Sequence, residues 1–318
     1  MSPPLPGLKE VPVEHSQGQS QPGACRSRAS LPGIFAGIAL VGWSLVWGLA
    51  EAPAVEFARY WVVTPLAFLA AAFANATAIG GGFVFIPLFI FGFGMAPQIA
   101  LKLSLGTQSF GMSAGAIGWS RQFIEPRYLL LSLLGSGVGM GLGTFQWVAS
   151  PLQIKAVFGW VSIAIAGVMA LEMKVGKSGG AERVQTHRPA EQMAFLLASF
   201  GGGIITAWVS LGIGEVVALW LLFVHRLRIE TAIGTGVAAL ALSSILGFLF
   251  HGWDPDFPWV VLAFTVPGVL FGGYFGGKGG RRLESRMAAL GKKSPLKLLF
   301  AVVVFLDGTM MLFQTYSS

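Results

Sequence analysis

The stretch Ala74–Gln108, ANATAIGGGFVFIPLFIFGFGMAPQIALKLSLGTQ, is almost wholly apolar, yet Gly80, Gly81, Gly82, Pro87 and Pro97 cut it into short pieces. The piece at 83–94 is too short to cross a bilayer, which takes about 20 residues of helix. A break inside such a run leaves backbone N–H and C=O groups without intrahelical partners. Lipid supplies none, so the turn survives only if it is buried in protein or lines a polar cavity.

The rest of the chain makes lipid the solvent. Of 318 residues, 54% are hydrophobic and 11% charged, whereas a soluble domain carries about 25% charged residues. The fold class is therefore an all-α polytopic membrane protein. Cys25 is the single cysteine, which excludes a disulfide framework and a cysteine-ligated metal. His15, His187, His225 and His251 form no close pair at helical spacing, so the sequence offers no metal site, and no cofactor is expected. The formal charge of +7 sits in loops such as KGGRRLESRMAALGKK. That placement orients spans rather than binding nucleic acid.

Residues 1–30 are rich in Pro, Gly, Ser and Gln and read as a disordered tail. An apolar run, Leu31–Leu49, follows Arg26 and Arg28. It reads as an additional first helix within residues 31–59, although AEA at Ala50–Ala52 resembles a signal-peptide cleavage site. Apolar segments then fall near 60–78, 83–94, 98–119, 128–149 and 151–173, a polar loop at 174–191, and a second set near 192–209, 212–225, 229–251, 257–277 and 295–315.

The two sets align. A shift of 132 residues lays GGGFVFIPLFIFGFGMAPQIALKLS over GIGEVVALWLLFVHRLRIETAIGTG, and SPLQIKAVFGWV from Ser150 matches SPLKLLFAVVVF from Ser294. Residues 60–173 and 192–318 are thus read as a duplication. Basic loops at 120–127, 174–190, Arg226/Arg228 and 278–297 belong on the cytoplasmic side, and Glu51/Glu56 and Asp254/Asp256 outside. Those assignments agree only if the repeats are inverted, with the N-terminus cytoplasmic and the C-terminus periplasmic. Segments 83–94 and 212–225 reach only partway across, so each is expected to close a re-entrant hairpin. The count is about seven full spans plus two re-entrant hairpins, or eleven spans if the short pieces cross. Helices starting near Gly82 and Gly214 would aim N–H groups and the positive dipole end at the midplane, where they make an anion site.

These residues resemble the sulfite exporter family of the TauE/SafE type. Its glycine-rich turn has its counterparts here in AIGGGFVFIPLFIFG and GIGEVVALWLLF, and its downstream A-x-G-T-S-like helix start in ALKLS and AIGTG. The resemblance covers about residues 60 to 315 and implies a bacterial inner-membrane permease, acting in sulfur metabolism, for sulfite or an organosulfonate such as sulfoacetate. It places turn glycines at Gly80, Gly81, Gly82, Gly212 and Gly214. The Gly-Thr-Ser-like positions fall on Lys102, Leu103 and Ser104, and on Gly234, Thr235 and Gly236. Lys102 stands where the family has glycine and Gly236 where it has serine, so the substrate differs from sulfite or gains an extra positive charge on its path.

Ser104, Thr107, Gln108 and Thr235 are candidates to replace an oxyanion's hydration shell; the alternative is hydroxyls and amides bonding their own backbone or neighbouring helices. Asn75, Thr77 and Ser210 flank the turns and are expected to cap the half-helices or touch substrate. Lys102, Glu215 and Asp307 are ionisable groups inside apolar segments, which makes them coupling candidates. Glu215 follows Gly214 directly, so its protonation would couple anion binding to proton movement; the alternative is a structural cap. Asp307 equally suits packing against a polar partner, and Lys102 snorkelling to the interface. Trp43, Trp47, Trp61, Trp119, Trp147, Trp253 and Trp259 read as an interfacial belt. GSGVGMGLGT and PGVLFGGYFGG read as sites of close helix packing. The functional expectation is a secondary transporter of a small sulfur anion, working by alternating access and facing lipid, with a homodimer allowed. The alternatives are an anion channel or an uptake permease on the same scaffold; no enzyme site is visible.

Overall fold

The computed structural model describes residues 31–50, 56–77, 80–175, 181, 183–185, 188–251, 257–290 and 295–317. The N-terminal tail, most of the AEA stretch, Trp253, Asp254 and Asp256 lie outside the described residues. Twelve α-helices are present among them: α1 Leu31–Leu49, α2 Phe57–Tyr60, α3 Val63–Thr77, α4 Gly82–Pro87, α5 Pro97–Trp119, α6 Pro126–Phe145, α7 Pro151–Val175, α8 Pro189–Val209, α9 Ile213–Phe223, α10 Ile229–His251, α11 Trp259–Ala289 and α12 Pro295–Ser317. Pro87 cannot donate a backbone hydrogen bond, and α4 runs on as a π turn, Leu88–Gly92. The two Ser-Pro landmarks start α7 and α12 at matching points.

Helix α6 is built inside out. Its large apolar residues Leu130, Leu134 and Val138 are exposed, while Ser132, Ser136, Gly139 and Gly143 are buried. In water that arrangement would be costly; in lipid it puts hydrocarbon against hydrocarbon and leaves small residues for helix contact. Helix α6, residues Pro151–Val168 of α7, α8, α10 and residues Trp259–Met287 of α11 are long and apolar enough to cross a membrane. The chain is therefore a multi-pass membrane protein.

The glycine-rich stretches do set close packing. On α11 a Cβ at Gly268, Gly272, Gly276 or Gly280 would come within 2.2–2.4 Å of the carbonyls of Thr64, Phe68, Ala72 and Ala76 on α3. On α6, Gly135 and Gly139 meet the α8 carbonyls of Leu196 and Phe200 in the same way. Beyond these pairs, α5 packs on α10 and on α11, and α7 on α12.

At each break the chain reverses. Tyr60, before α3, and Phe93, after the π turn, stack with ring centroids 6.3 Å apart. His225, just after α9, lies 2.5 Å from Glu191 in the first turn of α8. Each broken pair therefore ends beside its own beginning.

Three expectations need correction. The outgoing arm of the second break is not a half-length helix: α8 has 21 residues, ~30 Å of helix. It follows α6 from Arg127, which bonds Gln192, to Trp147, whose carbonyl accepts from Trp208. The basic loop expected at 278–297 is helical as far as Ala289, because no proline interrupts KGGRRLESRMAA and, of its two glycines, Gly280 is required by the α3 contact. Trp119 is not in an interfacial belt: it is fully buried, and its Nε1 donates to the Asn75 carbonyl at 2.9 Å. Trp61 and Trp147 are exposed, as a belt requires.

Candidate functional site

The two breaks meet. A Cβ on Gly82 would lie 2.7 Å from the Ser210 carbonyl oxygen and 2.4 Å from a Leu211 methyl, so only glycine lets the backbones approach this closely. The breaks are built differently. Ser210 is left-handed (φ 59°) and Gly212 has φ 121°, a conformation that glycine alone adopts without strain. Gly81, in contrast, is right-handed (φ −59°), so the first glycine cluster serves close approach rather than an unusual turn.

At the meeting point lies the carboxylate of Glu215, buried in the third residue of α9. Its Oε1 accepts from the Gly80 N–H and its Oε2 from the Gly212 N–H, both at 3.0 Å. One side chain thus ties the two breaks together. No cation pairs with it among the described residues, so its two oxygens are held by backbone dipoles and the N-terminus of α9.

Beside it lies a buried hydroxyl and amide cluster. Ser104 donates to Ser210 Oγ at 3.1 Å, and Gln108 Nε2 donates to Ser104 Oγ at 3.1 Å and to the Ser210 carbonyl at 3.0 Å. Gln108 Nε2 also makes a close contact with Ser210 Oγ. The Ser210 carbonyl can only accept, which fixes the amide orientation. Gln108 Oε1 is left buried and without a partner. A Cβ on Gly80 would lie 3.7 Å from that oxygen and 3.4 Å from Glu215 Oε1, so both oxygens border Gly80.

Of the candidates, Gly80, Gly81, Gly82, Ser104, Gln108, Ser210, Gly212, Gly214 and Glu215 come together. Gly81 packs on Gln108 Cγ, and Gly214 on Leu240 and the Gly236 carbonyl. Asn75 stands next to the cluster across a narrow hollow that it lines with Gly81 and Gln108. Its Nδ2 donates to the Ala71 carbonyl at 2.9 Å, and its Oδ1 lies so close to Gly115 that any Cβ there would overlap it. Thr77 ends α3, and its side chain is outside the described residues.

The others lie elsewhere. Thr107 turns toward α11, 3.3 Å from Thr265 Oγ1. Thr235 bonds the Thr231 carbonyl and receives the Glu125 N–H at 2.9 Å, which ties α10 to the 120–127 connection. Lys102 sits on α5 near enough to His251 for their charges to interact. Asp307 lies on α12 next to Gly308, which packs against α7.

The expectation that Asn75 and Ser210 cap the half-helices is also corrected. Ser210 faces Ser104 and Gln108, and Asn75 bonds within α3. The cap on α9 comes from Thr206, whose Oγ1 accepts the Ile213 N–H at 3.2 Å, and from Glu215 reaching back to Gly212. Thr206 was missed because a threonine inside a helix reads as bonding the carbonyl four residues back, which it also does, to Gly202. Its only signal was a position seven residues before Ile213, the start of α9.

A sequence profile of the sulfite exporter TauE/SafE family matches residues 63–311. A protein of Bacillus subtilis (strain 168) named "Probable membrane transporter protein YunE" is 21% identical over 275 residues, covering 80% of this chain and 97% of its own length. No solved structure matches the chain. The profile spans both breaks and both halves, and the chain belongs to the sulfite exporter TauE/SafE family.

Proposed function

We propose that this membrane transporter carries sulfite or a related small organosulfur anion, and that the anion binds where the two breaks meet. The supporting observation is the pair of N–H groups of Gly80 and Gly212, one from each break, converging on a single negatively charged group. A carboxylate and a sulfonate present the same chemistry to those donors: an anion with two or more acceptor oxygens. The hydroxyls of Ser104 and Ser210 and the Gln108 amide add neutral donors beside them, and no cation is needed to hold a monovalent anion there.

The scaffold in this reading is a pair of inverted repeats with seven full spans and two re-entrant hairpins in a bacterial inner membrane, N-terminus cytoplasmic and C-terminus periplasmic. Helix α3 packs on α11 and its counterpart α8 on α6; exchanging each helix for its counterpart maps one pair onto the other. Each hairpin arm is thus bound to a helix of the opposite repeat, which suits rocking of two bodies about the α5–α10 contact in alternating access. Export is the direction that the family description suggests. Flux of sulfite and methanesulfonate from loaded liposomes tests the reading. Saturable flux lost in Ser104→Ala/Ser210→Ala supports a carrier with its site at the breaks. Unsaturable conductance would make the protein a channel, and flux unchanged in the variant would move the site elsewhere.

A further inference from the structure

The place assigned above to the substrate already holds an anion, and it belongs to the chain. Glu215 is 6% exposed, and its two oxygens take one N–H from each break. A second anion cannot reach those donors while the carboxylate keeps them, and two buried negative charges side by side repel each other strongly.

Among the described residues, no neighbouring group relieves that repulsion. Helix α9 packs on α6, α8 and α10. Tyr128 of α6 and Glu191 of α8 bond one another near His225, beyond the far end of α9, and Arg127 bonds Gln192 there. On α10, Glu230 bonds Ser285 and His251 contacts Thr144, at opposite ends of the helix. On α5, Lys102 lies toward His251. None of these faces Glu215.

The unpartnered carbonyl of Gln108 supplies the missing half. A buried acceptor without a donor is costly, and this one lies, like Glu215 Oε1, within 4 Å of the position a Cβ on Gly80 would take. A carboxylate has no hydrogen to offer it; a carboxylic acid has one.

We propose that the Glu215 carboxylate stands in for the substrate, and that an anion binds by taking over the Gly80 and Gly212 N–H groups while Glu215 leaves them as a neutral acid donating to Gln108 Oε1. This rests on the break site being the substrate site. The balance is simple. Glu215 takes one proton from solvent, forming one O–H bond, and the anion brings one negative charge, so the site carries a single negative charge before and after. The ligand class is a small oxyanion with at least two acceptor oxygens, bound together with one proton.

The test uses the purified full-length chain, with thermal stabilisation as the readout and two probes. Formate is added to wild type and to Glu215→Ala near neutral pH. The inference expects it to stabilise the variant, whose two N–H groups have lost their carboxylate, far more than wild type, which must also take up a proton. Absence of stabilisation in Glu215→Ala overturns the stand-in role. Methanesulfonate, which stays ionised throughout, is titrated from about pH 8 to about pH 6. Wild-type affinity should rise about tenfold per unit fall in pH, and Glu215→Gln should bind with no pH dependence. A flat wild-type profile overturns the proton step, whether or not Glu215→Ala folds. If formate rescues Glu215→Ala but no sulfur anion binds either protein, the stand-in role holds and the sulfur substrate is wrong.

Discussion

Gly82→Ala tests whether the crossing of the breaks is what forms the site. The added Cβ would meet a Leu211 methyl at 2.4 Å and the Ser210 carbonyl oxygen at 2.7 Å. The methyl can rotate away. The carbonyl cannot, because it accepts from Gln108 and belongs to a left-handed residue already fixed in the turn. Restoring an ordinary separation of 3.4 Å parts the breaks by about 0.7 Å. If that shift falls along the Gly80 N–H bond to Glu215, the 3.0 Å contact opens to about 3.7 Å, beyond a hydrogen bond. Overpacking of this kind costs about 1–3 kcal/mol, and about 2 kcal/mol is roughly thirtyfold in population. Gly201→Ala on α8 is the control, since nothing lies within 4 Å of a Cβ there. It should be neutral or stabilising by about 0.5–1 kcal/mol. The assay is unfolding in detergent together with flux in liposomes. Gly82→Ala should lose both stability and flux, and Gly201→Ala neither. Equal behaviour of the two variants would refute the reasoning.

Three further outcomes are expected. Ser104→Ala should weaken methanesulfonate binding, whereas Thr235→Ala should leave binding unchanged and lose about 1–3 kcal/mol of stability, because the buried Glu125 N–H is left unpaired; equal loss of binding in both would return Thr235 to the site. Thr206→Val keeps the shape but removes the Ile213 cap, and should cost about 1–2 kcal/mol of stability and lower flux; unchanged unfolding would show the cap to be unimportant. Methanesulfonate flux in liposomes should not respond to an imposed potassium-diffusion potential and should respond to a pH gradient; a strong response to potential would show that the anion crosses without its proton.

How much of this was legible in the sequence depends on the range of each interaction. The breaks were visible because glycines and prolines act on their own backbone, and the helix of Ile229–His251 because a predominantly apolar run of 23 residues needs no partner to declare a span. Ser104 was legible by its place after the break, and Glu215 because a carboxylate in an apolar run has few innocent explanations. Partners were not legible. That Glu215 serves both breaks depends on Gly80, 135 residues away, and that Ser210 faces Ser104 rather than capping α9 depends on how the two breaks cross. Thr235 shows the converse: it matched the motif by sequence, yet the side chain that decides its role belongs to the 120–127 connection, whose approach no local pattern encodes. The length of α8 misled for a related reason. The second arm was expected to turn back early because its returning segment is short, but within that pair only α9 is short, and the outgoing helix follows α6 to its far end.

The proton step bears on direction. Two unit charges about 4 Å apart repel by about 4 kcal/mol at an effective dielectric constant near 20, roughly a thousandfold in affinity. An anion that had to bind beside an ionised Glu215 would therefore bind poorly, and a proton is the smallest change that removes the repulsion. Carrying that proton has a consequence for energetics. A membrane potential, negative inside, drives a bare monovalent anion outward with about 2.3 kcal/mol per 100 mV; an anion moving with a proton is neutral and receives none of it. Net flux then follows the product of anion and proton concentrations on each side. With the outside more acidic, protons favour uptake, and export proceeds only when the anion accumulates inside by more than the proton ratio. A break site built this way therefore exports in a cell that generates the sulfur anion faster than it consumes it, and imports in one that does the opposite, with no change in the protein.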